Sequence, residues 1–163
     1  MYTRRVTPSA IAASVIVLAV TAGITVSAHH SFAMYDQKKV VTLTGVVKQF
    51  VPQANHAEIH FVLLAPDHKS VAKAPDGKPV EWGIEMAGAA QLDRQGINAK
   101  TYAPGTVISV HLNPLRDGSN FGARTGVMAR CPIDPATNKV KLPEPGKHCD
   151  SVPGHTLSGG TAF

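Results

Sequence analysis

Five short runs of alternating apolar and polar residues dominate the chain, and a two-residue period commits each run to a β-strand with one face in a core. They are VVTLTGVVKQF at 40–50, HAEIHFVLL at 56–64, PVEWGIEM at 79–86, TVISVHLN at 106–113 and ARTGVMAR at 123–130. In the second run Ala57, Ile59, Phe61 and Leu63 alternate with His56, Glu58, His60 and Val62, so one face is apolar and the other can bear chemistry. Val80, Trp82, Ile84 and Met86 share a face in the third, with Glu81 and Glu85 outward, and in the fourth Ser109, His111 and Asn113 face out. Gly45, in the middle of the first, marks a bulge or sharp coil. Alternation lapses at 88–95, GAAQLDRQ, which reads as a helix of about two turns stopped by Gly96. Three strands, a helix and two strands within about 90 residues predict an all-β domain with a small α contribution. The architecture expected is a five-stranded OB-like β-barrel with one short helix between strands 3 and 4, in preference to a seven-stranded sandwich; a mixed β-roll is the alternative.

The first 28 residues carry no such pattern. Arg4 and Arg5 precede an uncharged stretch from Ile11 to Val26, and Val26-Ser27-Ala28 places small residues at the −3 and −1 positions of a secretory cleavage site. Residues 1–28 therefore read as a signal peptide. An uncleaved anchor is the competing reading, since the uncharged run from Thr7 to Ala28 reaches the roughly 20 residues a bilayer needs. Export implies a periplasmic or secreted protein with no stable membrane insertion after cleavage. Removing 28 of 163 residues leaves 135, and losing Arg4 and Arg5 leaves 14 of the 16 basic residues against 11 acids, a net charge of +3. That mild balance, with no Lys/Arg-rich run, argues against nucleic acid as a partner. Three domain-level segments result: the leader, an OB-like barrel at 29–130, and a proline-rich irregular extension and flexible tail at 131–163. Cys131 and Cys149 are the two cysteines, and in an oxidising compartment they read as one disulfide stapling that extension.

Several of these segments carry a resemblance. Ala28-His29-His30-Ser31-Phe32, Val41-Thr42-Leu43-Thr44-Gly45-Val46-Val47, Asn55-His56-Ala57, Val80-Glu81-Trp82-Gly83-Ile84-Glu85 and Arg116-Asp117-Gly118-Ser119 occur in that order. Over roughly residues 28 to 128 the chain resembles a family of small uncharacterised exported bacterial proteins, catalogued as a domain of unknown function. It departs from that pattern at Ala54, where the family has an Asn-Pro-His entry to the second strand, and in its cysteine-bearing extension. The resemblance implies an exported small β protein and brings no activity with it.

Chemistry is hinted at by histidine: eight residues, as many as Tyr and Phe combined. Cleavage after Ala28 makes His29 and His30 the new terminus, gathering an α-amine and two imidazoles, a donor set suited to Cu(II) or Ni(II). With His29 first, amine and ring chelate one ion as a histidine brace; cleavage one residue earlier puts histidine third, an amino-terminal copper and nickel site. A frayed polar end is the plain alternative. His56, beside a Pro/Asn-rich entry loop, is the candidate third ligand. Glu58, His60 and His111 are secondary candidates, with His60 expected as a surface rung opposite Glu81 or Glu85. His56 and His60 lie about 13 Å apart along an extended strand, too far to share one metal. Arg116 and Asp117 read as ordinary turn chemistry, and His148 and His155 as solvated residues of the extension. No G-x-S-x-G, P-loop, H-E-x-x-H or dinucleotide fingerprint is present.

These residues support a non-catalytic binding protein with copper as its only expected cofactor. Two other readings stay open: a metal-free accessory module for a larger periplasmic partner, and a copper-dependent oxygenase.

Overall fold

A computed structural model describes residues 31–159. His29 and His30, and the leader with its cleavage site, lie outside the described residues.

Six strands form the sheet: β1 (Val41–Val51), β2 (Glu58–Leu63), β3 (Glu81–Glu85), β4 (Val107–Pro114), β5 (Phe121–Arg130) and β6 (Thr156–Ser158). Neighbours run in the order β3-β2-β1-β4-β5-β6, and a parallel pairing of β3 with β5 closes the first five into a barrel. One short helix, α1 (Ala89–Arg94), lies between β3 and β4. The OB-like five-stranded barrel predicted from the alternation is the fold observed. Ile59, Phe61, Ile84, Ile108, Val110 and Leu112 point inward and are fully buried, and Leu92 brings α1 into the same core. Each fully buried side chain of this size contributes roughly 1.5–3 kcal/mol. α1 has no side-chain cap; it ends where Gly96 turns left-handed at φ +74°.

Gly45 has a different role from the one expected. The bulge in β1 falls between Val47 and Gln49, whereas Gly45 is paired on both sides, with Leu63 and with Ile108. A Cβ there would collide with the Phe61 ring and approach the Val62 carbonyl oxygen, so glycine is required for close packing against β2.

The cysteine-bearing extension contributes more than irregular chain. Cys131 and Cys149 form a disulfide across a separation of 18 residues, a loop closure worth about 3 kcal/mol in the chain-entropy account. β6 then adds to β5, with Met128 opposite Ser158 and Arg130 opposite Thr156. A chain of hydroxyls pins the cysteine to the barrel wall. The Cys149 N–H donates to Ser109 Oγ at 2.8 Å, Ser109 Oγ meets Thr44 Oγ1 at 2.7 Å, and Thr44 Oγ1 meets His148 Nδ1 at 2.8 Å. His148 is thus half-buried and bonded instead of solvated. His68, 7% exposed, anchors the other side through Nδ1 to the Pro143 carbonyl at 3.2 Å.

Burial lowers the His148 pKa from the ordinary imidazole value, and nearby His68 and His111 push the same way against the carboxylate of Asp150. The unfolded chain therefore binds this proton more readily than the folded one. The stabilisation is complete above the unfolded value of about 6.5 and is lost as pH falls below it. The thermal midpoint should drop between pH 7 and pH 5, and by less in His148→Gln; equal drops in both proteins would contradict this role.

Candidate functional site

The β2–β3 register determines what the outer wall of the barrel carries. Ile59 pairs with Ile84 and both enter the core, so the neighbouring pair, Glu58 opposite Glu85, stands on the outer face. Two carboxylates placed directly across a strand pair repel. Each has acquired a partner. His60 Nε2 lies 2.8 Å from Glu58 Oε2, and His56 Nδ1 lies 3.2 Å from Glu85 Oε1. Glu85 Oε2 accepts a hydrogen bond from the Tyr35 hydroxyl at 2.9 Å.

Tyr35 is the keystone of the group. It precedes β1, and its segment is stitched to the chain leaving β4: Tyr35 bridges Leu115, the Asp36 N–H donates to the Pro114 carbonyl at 2.8 Å, and the Arg116 N–H donates to the Met34 carbonyl at 3.0 Å. These bonds hold the ring, 1% exposed, over the end of β3. Burial pushes the Tyr35 pKa well above the phenol range, reinforced by the bond to Glu85 and by the charges of Glu85 and Glu58, so the hydroxyl stays a donor at any physiological pH. The Glu85 side chain is only 17% exposed, and its Oε1 is buried without a hydrogen bond of good geometry, with the His56 imidazole 3.2 Å away.

His56, Glu58 and His60 occupy alternate outward positions around the buried Ala57 and Ile59. They do not converge on one point: His56 goes to Glu85 and His60 to Glu58. His60 faces Gly83 across the strands instead of Glu81 or Glu85, and Glu81 is engaged by Lys48. Glu85 is more enclosed than its outward direction on the strand suggested. His111 stands apart on β4, with β1 between it and β2, and its Nδ1 lies 2.8 Å from Thr42 Oγ1. Asp117 accepts the Ser119 N–H at 2.8 Å, the turn bond anticipated, which lowers its pKa. Among the described residues, no group of three or more His, Cys, Asp or Glu side chains is arranged to hold a metal ion by itself.

Two contributors had weak signals. Tyr35 directly precedes the polar run Asp36-Gln37-Lys38-Lys39, and a large ring at the edge of such a stretch is a sign of anchoring. Glu85 was legible as an outward carboxylate, but its partners depend on the register of β2 and on a contact fifty residues away.

A closed five-stranded barrel with a histidine–carboxylate–tyrosine group on its outer wall defines a small OB-like β protein. The chain belongs to a family of unknown function, DUF6152, whose model matches residues 16–124. No curated protein and no solved structure matches it.

The dependence of Glu85 on Tyr35 is open to measurement. Tyr35→Phe removes the donor from a mostly buried carboxylate and should destabilise the protein by about 1–3 kcal/mol, whereas in a Glu85→Gln background the same change should cost much less. Equal costs in both backgrounds would show that the hydroxyl does not serve Glu85.

Proposed function

We propose that the mature protein is a non-catalytic, exported binding protein of the periplasm or extracellular space, holding a copper-type ion at its processed N-terminus. His29, with its freed α-amine, and His30 supply the first nitrogens, and His56 is the third protein ligand.

The observation that carries this reading is the sharing of Glu85 by Tyr35 and His56. Glu85 Oε1 stands 3.2 Å from His56 Nδ1, and a carboxylate that accepts the Nδ1 proton's hydrogen bond orients the imidazole and leaves Nε2 as the basic nitrogen, the arrangement that stands behind metal-bound histidines. The same carboxylate holds Tyr35, and five peptide steps from His30 to Tyr35 limit their Cα separation to ~18 Å whatever path the chain takes. Nitrogen donors favour Cu(II) in tetragonal geometry over the oxygen-seeking ions. The donors must be neutral, so affinity falls as pH drops through the imidazole range.

Titration of metal-stripped mature protein with Cu(II), followed by EPR, should give one tetragonal signal with nitrogen hyperfine structure. His29→Ala should abolish it and His56→Ala should alter its coupling and weaken binding. A signal unchanged in both variants, or no defined signal in the wild type, would refute the proposal. Sequencing the mature terminus distinguishes the brace beginning at His29 from the histidine-third site beginning at Ala28.

A further inference from the structure

The inner wall of β5 carries an imbalance of charge. Leu112, Val110 and Ile108 line the core, and the residues directly opposite them are Arg124, Met128 and Arg130. The irregularity around Gly126, φ +65°, inserts two residues and so preserves the facing of the strand on either side. Two arginines thereby share the inward face.

Arg124 is 2% exposed. Its Nη1 donates to the Gly126 carbonyl at 2.5 Å and its Nη2 to Gln95 Oε1 at 3.3 Å, while Nε has no partner. Arg130 Nη1 donates to the Thr101 carbonyl at 3.3 Å, its guanidinium carbon lies 5.7 Å from the centre of the Tyr102 ring, and its buried Nε is again unpartnered. The Tyr102 hydroxyl completes the group: Ser158 is near enough to influence it, yet no hydrogen bond of good geometry reaches it. These are three of the four buried, unpartnered side-chain polar atoms among the described residues. Neither arginine takes part in any ion pair among those residues. Buried guanidinium groups are normally paired with an anion, because desolvation of the charge is otherwise uncompensated.

Arg130 also borders a groove of about 550 Å³, open between the turn before β4 and the disulfide-tied extension. It is the only charged residue of the lining, and Pro104, Pro132, Ile133 and Val140 supply apolar surface. Arg130 is partly exposed where it borders this groove, and a guanidinium turned toward the groove matches one negative charge, its planar fork matching a carboxylate.

We propose that this groove binds an organic monocarboxylate with an apolar body, its head on Arg130 and its body along Pro104, Ile133 and Val140. Arg124, on the same inward face of β5, is a second cation outside any ion pair among the described residues. The site draws on different residues from His56 and its neighbours and is independent of metal.

Octanoate is a suitable probe, titrated calorimetrically into metal-free mature protein, with acetate (head alone), 1-octanol (body alone) and n-octyl phosphate as comparisons. Octanoate should bind saturably at one site, at least tenfold tighter than acetate or octanol and no weaker than octyl phosphate. Arg130→Met, which keeps an apolar stem, should weaken octanoate at least tenfold. Ile133→Asp, at a position 59% exposed where folding is not at stake, should do the same by repulsion. No saturable binding, octanol binding as tightly as octanoate, octyl phosphate binding tenfold tighter, or either folded variant binding octanoate like the wild type would each overturn the proposal.

Discussion

Two carboxylates, Glu58 and Glu85, face each other across β2 and β3, and much of the outer wall is arranged around relieving that repulsion. Glu58 is met by an imidazole on its own strand. Glu85 is met from two other directions, by His56 from the loop entering β2 and by Tyr35 from the segment preceding β1. The second solution has the longer reach. It ties the chain ahead of the first strand to the third strand, and in doing so holds a histidine and the approach to the N-terminus to one carboxylate. A polar conflict on the barrel surface thus becomes a device for placing an imidazole.

Much of the barrel was legible because each inward stripe repeats the same pattern. Ile59, Phe61, Ile84, Val110 and Leu112 recur at every second position and are buried where the alternation put them. The helix showed itself by breaking that alternation and by Gly96 beyond it. The outward positions had no comparable guide. Whether His60 meets Glu58, Glu81 or Glu85 depends on register, and register depends on how residues 64–80 turn, with bridges at Leu64–Val71 and Lys73–Pro79 that no short-range pattern announces. Tyr35 reaches Glu85 through tertiary folding alone. The insertion at Gly126 hides the facing of Arg124 and Arg130, and the prolines of the extension conceal a chain that buries His68 and half-buries His148.

The extension completes the barrel in a physical sense. Its disulfide, the Ser109–Thr44–His148 chain and β6 cover the outer faces of β1, β4 and β5, beside an apolar cluster of Val107, Ala129, Cys131, Cys149 and Val152. The polar part of this closure responds to pH through His148, whereas the apolar core beneath it does not. The same extension walls the groove beside Arg130, so docking of the extension and the shape of that groove are linked.

For His56 to act as a ligand through Nε2, Glu85, held by Tyr35, must keep the imidazole proton on Nδ1. Long-range ¹H–¹⁵N correlation spectroscopy of the metal-free protein above the imidazole titration reads this directly. A pyridine-type shift at Nε2 and a pyrrole-type shift at Nδ1 are expected for His56, collapsing toward the averaged values of free imidazole in Glu85→Gln. A His56 protonated on Nε2, or a tautomer unaffected by Glu85→Gln, would contradict it.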